Sequence, residues 1–514
     1  MICLCLSGDT LVAWGREFSQ ERSHVSMVEL RIDLLRPIER DPQEISRWVS
    51  TLPEDIPVII TVRRTQDLGT YEGDEGQRRV LIEQIVAAVS QTHTRRWYVD
   101  IELDRRGSSQ WDILAQTVRS AGGTVIRSHH QLHPPQESLS ILMARLATEA
   151  REVPKLAVPV SSTAEMIAFV AAAQEFRQRM GGREAVWIAM GEYGIPSRAF
   201  PSFMGSSWTY ATRQGTAPVA PGQLTPKVLH EQYRVGRTAA HTPVFAVIGS
   251  PINHSRSPEL HNRWFQEAQQ AAIYLPLRLD TFDLFPRLAE TYALSGVSVT
   301  VPHKESALAF AQGADGGGAT AEAIAVGAAN TLVRTDTGQW HATNTDVAGF
   351  LFPLEQEHIL PGTGQSIAVI GSGGAARAVV AALAPFGVDV HIFNRTTARG
   401  EALAQNFGIP TDQVHPLDDV AVAESRDWYL IVQTTSVGMD GETDPMPAFP
   451  FRGKEIVYDL IYNPEVTPFL RRAQEAGCRT INGSAMLRHQ GELQWRMFSS
   501  RAAASAGTAH QGPS

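Results

Sequence analysis

The feature that most constrains this chain is a regular alternation of short apolar runs with amphipathic segments over its first 225 residues. Eight such runs occur, at residues 2–7, 27–33, 57–63, 97–103, 123–130, 154–160, 185–191 and 203–212. The segments between them, such as DEGQRRVLIEQIVAAVS and SLSILMARLATEA, have the periodicity of helices that bury one face. Eight strands alternating with helices predict a (β/α)8 barrel, with an open doubly wound sheet as the alternative.

The residues after the first 225 divide into further regions. Residues 226–243 form a polar connector, and a second β/α region then begins with the runs VFAVIGS, AIYLPLRL and SGVSVTV. A third β/α region begins near residue 366. The last residues, 501–514, are small and polar, and we predict that they are disordered.

The third region opens with a glycine-rich turn. The run IAVIG reads as a strand, the turn contains Gly371, Gly373, Gly374 and Ala375, and RAVVAALAPFG reads as a helix. Glycines between a strand and a helix let the backbone approach a pyrophosphate at the helix N-terminus, where the helix dipole favours anions. Ala376 occupies the third glycine position, a permitted replacement. The pattern predicts a dinucleotide site, and a tight turn without a ligand is the alternative.

The residues after the next strand indicate which dinucleotide binds. The strand VDVHIF ends in Asn394, Arg395 and Thr396, with Arg399 nearby, rather than in an acidic residue. Two cations and two small polar groups suit a 2′-phosphate, which a carboxylate would repel. We therefore predict NADP as the cofactor, with a solvated basic surface as the alternative interpretation.

Composition excludes several other classes of partner. The formal net charge is −9 and no long basic run occurs, which argues against a nucleic-acid partner. The three cysteines, Cys3, Cys5 and Cys478, provide neither a disulfide framework nor the spacing of a zinc site. The chain has no run of 18 apolar residues, and its start lacks the features of a signal peptide. We expect a cytoplasmic enzyme with no metal and no membrane contact.

Residues 244–500 resemble shikimate dehydrogenase over nearly their whole length. The resemblance rests on VIGSPINHSRSPELHN, VTVPHKE, GAANTL, NTDVAGF, GSGGAARA, NRT, TTSVGM, YDLIYNP and NGSAMLRHQGELQW, in this order. It implies a shikimate-binding domain at 244–350, a Rossmann NADP domain at 351–480 and a C-terminal helix at 481–500 that returns to the substrate domain. Ser298 and Gln433 depart from the family, which usually has Asn at both positions.

The resemblance also implies roles for individual residues. Lys304 and Asp346 are implied to be the catalytic pair, and an ammonium suits the alkoxide charge that develops when a ketone is reduced. Ser255 and Ser257 are implied to bind the substrate carboxylate. The residues implied to bind ring hydroxyls are Thr300, Asn330, Tyr462 and Gln490. Those implied to contact the cofactor, besides the glycine turn and the Asn394–Arg399 group, are Thr434, Gly438, Met439 and Gly483.

The first 225 residues resemble type I 3-dehydroquinate dehydratase, a barrel enzyme that works through a Schiff base. The matching segments are ELRID, TVRRTQD, YEGDEGQR, SHH, PKLAVP, PSRAF and APGQ. Lys155 is implied to form the imine, and burial disfavours its ammonium form and so favours a neutral nucleophile. His130 is implied to be the general base, although the adjacent His129 could take that role.

The remaining barrel assignments also follow from the resemblance. Arg198 is implied to bind the substrate carboxylate. Glu29, Arg31, Arg63 and Gln223 are implied to hold hydroxyls or close the site. Asp67 stands where the family has the Glu that pairs with the catalytic His, and Val219 replaces the serine before APGQ.

Together the two resemblances predict a bifunctional enzyme of aromatic amino-acid biosynthesis. It would dehydrate 3-dehydroquinate to 3-dehydroshikimate and reduce the product with NADPH to shikimate. The departures at Asp67 and Val219 motivate an alternative, a shikimate/quinate dehydrogenase with an impaired dehydratase barrel. A non-catalytic sensor is a third interpretation, but such a protein should lack one of Lys155, Lys304 and Asp346. The sequence does not predict an oligomeric state.

Overall fold

A computed structural model describes residues 1–92, 95–132, 137–215, 220–252, 255–313 and 316–509. Contacts divide the chain into two compact units. The first comprises Met1–Val244 with Ala271–Ala293, and the second comprises Phe245–Gln270 with Leu294–Ser514. Val219 lies outside the described residues.

The first unit contains the predicted barrel. Its strands are β1 (Ile2–Leu6), β2 (Met27–Arg31), β3 (Val58–Thr61), β4 (Trp97–Glu102), β5 (Thr124–His130), β6 (Glu152–Pro159), β7 (Val186–Met190) and β8 (Thr209–Ala211). The helices are α1 (Leu11–Glu21), α2 (Pro42–Ser50), α3 (Glu75–Thr92), α4 (Ser109–Ser120), α5 (Leu139–Leu146), α6 (Thr163–Met180) and α7 (Ile195–Ala199). Hydrogen-bonded neighbours follow the order β7-β6-β5-β4-β3-β2-β1-β8, and each adjacent pair is parallel. This order confirms the barrel over the open doubly wound sheet.

The barrel is nearly closed between β7 and the residues just before β8. The Ser207 amide donates to the Ala185 carbonyl at 2.8 Å, and the Trp187 amide donates to Ser206 Oγ at 2.8 Å. Strand β8 itself is shorter than the predicted run 203–212, because residues 201–205 form turns and Gly205 has a φ of +73°. A residue with positive φ interrupts an extended strand.

The barrel interior is apolar at its base. One core cluster contains Cys3, Met27, Ile59, Tyr98 and Ile126, all of which point inward from their strands. Side chains of a strand alternate between its two faces, so the next inward position lies two residues further along. Those positions bring polar groups into the barrel near the C-terminal ends of the strands.

The elements after the barrel are, in chain order, β9 (Val244–Gly249), α8 (Ser257–Glu267), β10 (Ile273–Arg278), α9 (Phe285–Thr291), β11 (Leu294–Val299), α10 (Lys304–Gln312), β12 (Gly316–Ala319), α11 (Ala321–Val326), β13 (Thr331–Arg334), β14 (Trp340–Thr343), α12 (Asp346–Gln356), β15 (Ser366–Ile370), α13 (Gly374–Leu383), β16 (Asp389–Phe393), α14 (Thr397–Phe407), β17 (Val414–His415), α15 (Val420–Ser425), β18 (Trp428–Gln433), β19 (Ile456–Asp459), α16 (Pro468–Glu475), β20 (Arg479–Ile481) and α17 (Ser484–Ala509). Strand β10 and helix α9 belong by their contacts to the first unit.

The second unit contains two sheet regions. Strands β9, β11, β13, β14 and β12 lie side by side in that order, with antiparallel pairs at β11–β13 and β13–β14. The other sheet has the order β17-β16-β15-β18-β19-β20 and is parallel throughout. Along β15, Ile367 and Val369 enter one core cluster while Ala368 and Ile370 enter another, so both faces of the sheet are covered. This is the doubly wound arrangement of a Rossmann domain.

The C-terminal segment corrects one prediction. Helix α17 continues to Ala509, so the disorder predicted for 501–514 does not begin at residue 501. The segment RAAASAG contains four alanines, and alanine has the highest intrinsic helix propensity. Among the described residues, no helix combines the length and apolar character required to cross a membrane.

Candidate functional sites

A buried lysine lies inside the barrel near the C-terminal ends of its strands. Lys155 on β6 is 3% exposed, and its Nζ lies 2.9 Å from Asp100 Oδ2 and 3.8 Å from Glu29 Oε1. The ammonium also lies 4.4 Å from the centre of the Tyr210 ring. Two carboxylates and an aromatic face therefore surround this nitrogen. That burial favours a neutral Lys155 nucleophile stays a prediction.

An imidazole faces Lys155 from the neighbouring strand. His130 lines the cavity, and the alternation along β5 places it on the same face as Ser128 and His129 on the opposite face. Burial lowers the pKa of His130 well below its ordinary value, and the Arg63 and Lys155 cations lower that pKa further. The imidazole is thus neutral at pH 7 and able to accept a proton.

Asp67 and His130 form no direct hydrogen bond among the described residues. Asp67 lines the cavity, but its Oδ2 accepts from Arg64 Nε at 2.6 Å, and Arg64 also donates to Asp104. The Nδ1 atom of His130 has no hydrogen-bond partner among the described residues. The Arg64 guanidinium thus holds the short Asp67 side chain within the loop that contains both residues.

Three arginines line this cavity, and one of them lacks a carboxylate partner in the described part of the chain. Arg31 donates twice to Asp33, at 2.9 and 2.7 Å, and Arg63 Nη2 donates to Asp100 Oδ2 at 2.8 Å. Arg198 is 1% exposed and its Nη2 donates to the Pro221 carbonyl, whereas Nε and Nη1 have no acceptor there. Burial lowers the pKa of Arg198 to about 10, so it remains a cation at pH 7. A buried cation with two free donors is suited to a carboxylate ligand.

All eight barrel residues that we predicted from sequence line one narrow cavity of about 60 Å³; they are Glu29, Arg31, Arg63, Asp67, His130, Lys155, Arg198 and Gln223. Gln223 Oε1 accepts from the Ala220 amide at 3.1 Å, and Glu29 Oε1 accepts from Thr61 Oγ1 at 2.9 Å. Sequence reasoning missed Tyr210 and Asp100. Asp100 had a recognisable signal, since a carboxylate inside a buried strand needs a cationic partner.

The second unit contains a larger cavity of about 340 Å³. It is lined by every residue predicted to bind or act on the second substrate, namely Ser255, Ser257, Thr300, Lys304, Asn330, Asp346, Tyr462 and Gln490. These residues come from six separate segments of the sequence. Their convergence places ammonium, carboxylate, amide and hydroxyl groups around one space.

Lys304 and Asp346 form an ion pair at the beginnings of two helices. Lys304 begins α10 and Asp346 begins α12, and Nζ lies 2.6 Å from Asp346 Oδ2. The other carboxylate oxygen accepts from Asn330 Nδ2 at 2.9 Å, which fixes its orientation. Asn330 Nδ2 also lies 3.4 Å from Gln490 Oε1. The ammonium is thereby held at the cavity surface with its counter-ion immobilised.

The two departures from the family pattern each have a structural role. Ser298 Oγ donates to Gln494 Oε1 at 2.7 Å, and Gln494 Nε2 donates to the Asn330 carbonyl at 3.1 Å. Gln433 is fully buried, and its Nε2 donates to the carbonyls of Thr435 and Val437 at 3.1 and 3.0 Å. Gln494, which sequence reasoning missed, therefore supports the cavity wall, while Gln433 holds the loop that follows β18.

The glycine turn between β15 and α13 fits a dinucleotide. Gly371 has a φ of +109°, and a Cβ there would lie 2.5 Å from Thr434 Oγ1, so only glycine suits the turn. A Cβ on Gly373 would meet nothing within 4 Å, which leaves open space over the helix N-terminus. No side chain caps α13, and its first amides are available to an anion. Ala375, Met439 and Gly483 of the predicted cofactor set line the adjoining cavity.

The predicted 2′-phosphate residues follow β16. Asn394 Nδ2 donates to the Thr396 carbonyl at 2.7 Å and so shapes the turn. Arg395, Thr396 and Arg399 are exposed, and among the described residues neither arginine forms an ion pair. Two guanidinium groups thus remain open to a ligand at this edge of the sheet.

Comparisons with known proteins match both units. The family described as type I 3-dehydroquinase matches residues 2–239. The shikimate dehydrogenase substrate binding domain matches residues 247–332, and the shikimate / quinate 5-dehydrogenase family matches residues 355–437.

Individual known proteins are similar to all or part of this chain. A chloroplastic bifunctional 3-dehydroquinate dehydratase/shikimate dehydrogenase of Arabidopsis thaliana is 28% identical over 528 residues, covering 97% of this chain and 82% of the relative. A shikimate dehydrogenase (NADP(+)) of Desulfitobacterium hafniense is 37% identical over 49% of this chain and 91% of the relative. A solved shikimate 5-dehydrogenase from Thermus thermophilus, in complex with NADP(H) and shikimate, is 34% identical, with a TM-score of 0.43 over 52% of this chain and 99% of that structure.

Proposed function

The chain belongs to the shikimate dehydrogenase family and carries a type I 3-dehydroquinase domain in the same polypeptide, and we propose on this basis how its two sites act in succession. It is a bifunctional 3-dehydroquinate dehydratase and NADP-dependent shikimate dehydrogenase of the shikimate pathway. Its partners are therefore the small molecules 3-dehydroquinate, 3-dehydroshikimate and shikimate, together with NADP.

In the barrel, Lys155 attacks the ketone of 3-dehydroquinate and forms an imine. The observation that supports this proposal is one buried cavity lined by Lys155, a neutral His130 and the unpaired cation of Arg198. Arg198 binds the substrate carboxylate and fixes the position of the ring. The iminium acidifies the neighbouring C–H, and His130 removes that proton and then protonates the departing hydroxyl.

Borohydride reduction in the presence of 3-dehydroquinate is the test of the imine. We expect the mass of the reduced adduct on the peptide that contains Lys155, because hydride adds to the iminium carbon and leaves a stable secondary amine. The same peptide from protein treated without ligand should keep its unmodified mass. An unmodified Lys155 peptide, from protein whose dehydration is active, would rule out the Schiff base.

In the second unit, Lys304 donates a proton to the substrate oxygen as negative charge develops on it. Asp346, oriented by Asn330, holds the ammonium in place and accepts from a ring hydroxyl. Ser255 and Ser257 bind the substrate carboxylate, and Thr300, Tyr462 and Gln490 bind the ring. The glycine turn with Thr434, Gly438 and Gly483 would hold NADPH, which would supply the hydride when bound. Arg395 and Arg399 would bind its 2′-phosphate.

We expect Arg395 to select NADPH over NADH. A charge-assisted contact contributes about 1.5–3 kcal/mol, so Arg395→Ala should weaken NADPH about ten- to hundredfold and barely change NADH. Arg395→Asp should go further, because a carboxylate repels the phosphate and can accept from the NADH ribose. The measurement is the ratio of kcat/KM for the two cofactors. Arg471→Asp, an equal charge change on an exposed arginine of α16, is the matched control. If Arg395→Asp does not change the ratio of kcat/KM for NADPH and NADH, Arg395 does not select the cofactor.

We also propose that the enzyme works in the cytoplasm. Its three cysteines are free and buried, which is compatible with a reducing compartment.

A further inference from the structure

Asp100 on β4 is a buried charged group to which the proposed chemistry gives no role. Its carboxylate is fully buried and accepts from three side chains at once. Oδ2 accepts from Lys155 Nζ at 2.9 Å and from Arg63 Nη2 at 2.8 Å, while Oδ1 accepts from Ser128 Oγ. One carboxylate therefore contacts the imine-forming nitrogen, a second cation and a hydroxyl that fixes its orientation.

This carboxylate is held in its ionised form. Burial alone would raise the pKa of Asp100, but the Arg63 guanidinium and the Lys155 ammonium lower that pKa well below its ordinary value. The charged and titratable groups that face Lys155 are Glu29 from β2, Arg63 from the residues just after β3, Asp100 from β4, His130 from β5, Tyr210 from β8, and Cys3 and Cys5 from β1. Among these groups Asp100 makes the shortest contact with Nζ, since Glu29 Oε1 lies 3.8 Å away.

The chemistry of imine formation gives this contact a function. A ketone and an alkylammonium yield an iminium and one water, so the nitrogen begins and ends with one positive charge. A neutral amine occurs only in between, when Nζ attacks the carbonyl carbon. A fixed anion beside Nζ therefore matches both stable charge states of that nitrogen, and it needs no movement between them.

We propose that Asp100 is the positioning residue of the dehydratase site, a permanent counter-charge that stays with the Lys155 nitrogen as ammonium and as iminium. This inference rests on the proposed Schiff base. Arg63 acts through Asp100, because its guanidinium keeps the carboxylate from taking the proton of Lys155. Ser128 acts on the same carboxylate by orienting its second oxygen.

The test compares Asp100→Asn with Asp100→Glu and with Glu102→Gln. In Asp100→Asn the ammonium loses its counter-charge and gives up its proton more easily, so the acid limb of kcat/KM for dehydration should move down by about one to three pH units. The iminium loses the same anion, so kcat should fall about a hundredfold or more. Asp100→Glu keeps the charge but displaces it, so it should keep the wild-type acid limb and lower kcat.

Glu102→Gln is the matched control. Glu102 lies two residues along the same strand and contacts Arg63 and Arg78, and no contact with Lys155 is among its described interactions. The Glu102→Gln substitution removes one negative charge from the same ion network. It should leave the acid limb of the kcat/KM profile for dehydration unchanged.

Three results would overturn the role of Asp100 while leaving the Schiff base intact. They are an unshifted acid limb in folded Asp100→Asn, an unchanged kcat in folded Asp100→Glu, and an equal shift in Glu102→Gln. If Asp100→Asn does not fold, Asp100→Glu and Glu102→Gln decide the question. Failure of the Schiff base itself is distinguishable, because then borohydride leaves Lys155 unmodified in the wild-type protein.

Discussion

Lys155→Ala should lower dehydration of 3-dehydroquinate by about a thousandfold or more and leave shikimate oxidation within a few-fold of wild type. Lys304→Ala should do the reverse, with a loss of about 10²- to 10⁴-fold in the dehydrogenase reaction. The physical reason is that each lysine lies within its own compact unit and contacts groups of that unit. Each half-reaction is measured separately, with NADP and shikimate for one and with 3-dehydroquinate for the other.

The two variants serve as controls for each other. Both substitutions remove one ammonium from a partly or fully buried ion pair. Any loss of folding stability should therefore be similar in the two variants. A folded variant that silences both reactions would show that the sites are not independent.

His130→Ala should slow dehydration by about 10²- to 10⁴-fold, the range for loss of a positioned general base. His129→Ala should be mild, because strand alternation turns its ring away from the cavity that His130 lines. The measurement is the single-turnover rate of dehydration, with loss of deuterium from the substrate C–H as a direct report of proton removal. The opposite ranking of the two variants would move the role of base to His129.

The order of the strands could be predicted because parallel barrels have a simple sequence signature. Strands covered on both faces appear as short apolar runs, and each of the eight runs overlaps an observed strand. The last run was predicted too long, since Phe203 and Met204 are apolar but belong to a turn that ends at Gly205. The apolar periodicity of a short run does not distinguish a buried turn from a strand.

The polar contacts of the barrel could not be predicted in the same way. Lys155 and His130 were assigned from their motifs, but the partner of each depended on distances between different strands. Asp100 lies 55 residues before Lys155 and meets it only because β4, β5 and β6 are neighbours. Likewise the preference of Asp67 for Arg64 over His130 depends on a local loop, in which a nearby guanidinium competes for the carboxylate.

The second site was predicted more completely, because its sequence motifs contain the residues that the fold brings together. Lys304, Asn330 and Asp346 come from three motifs and form one hydrogen-bonded set. Gln494 was missed, since a glutamine on a long amphipathic helix carries no signal of its own. The helical end of the chain was also missed, because small residues such as alanine suit both a disordered tail and a helix.

Supplying 3-dehydroquinate and NADPH to the wild-type enzyme tests whether one chain performs both reactions in succession. NADPH oxidation is followed at the nicotinamide absorbance band, and shikimate is quantified by chromatography. We expect one shikimate per NADPH oxidised and no shikimate from Lys155→Ala or Lys304→Ala alone. Shikimate formation should recover when the two variants are mixed, because the intermediate can diffuse between them. A wild-type enzyme that reduces 3-dehydroshikimate but oxidises no NADPH when given 3-dehydroquinate would rule out the bifunctional enzyme and support a dehydrogenase with an impaired barrel.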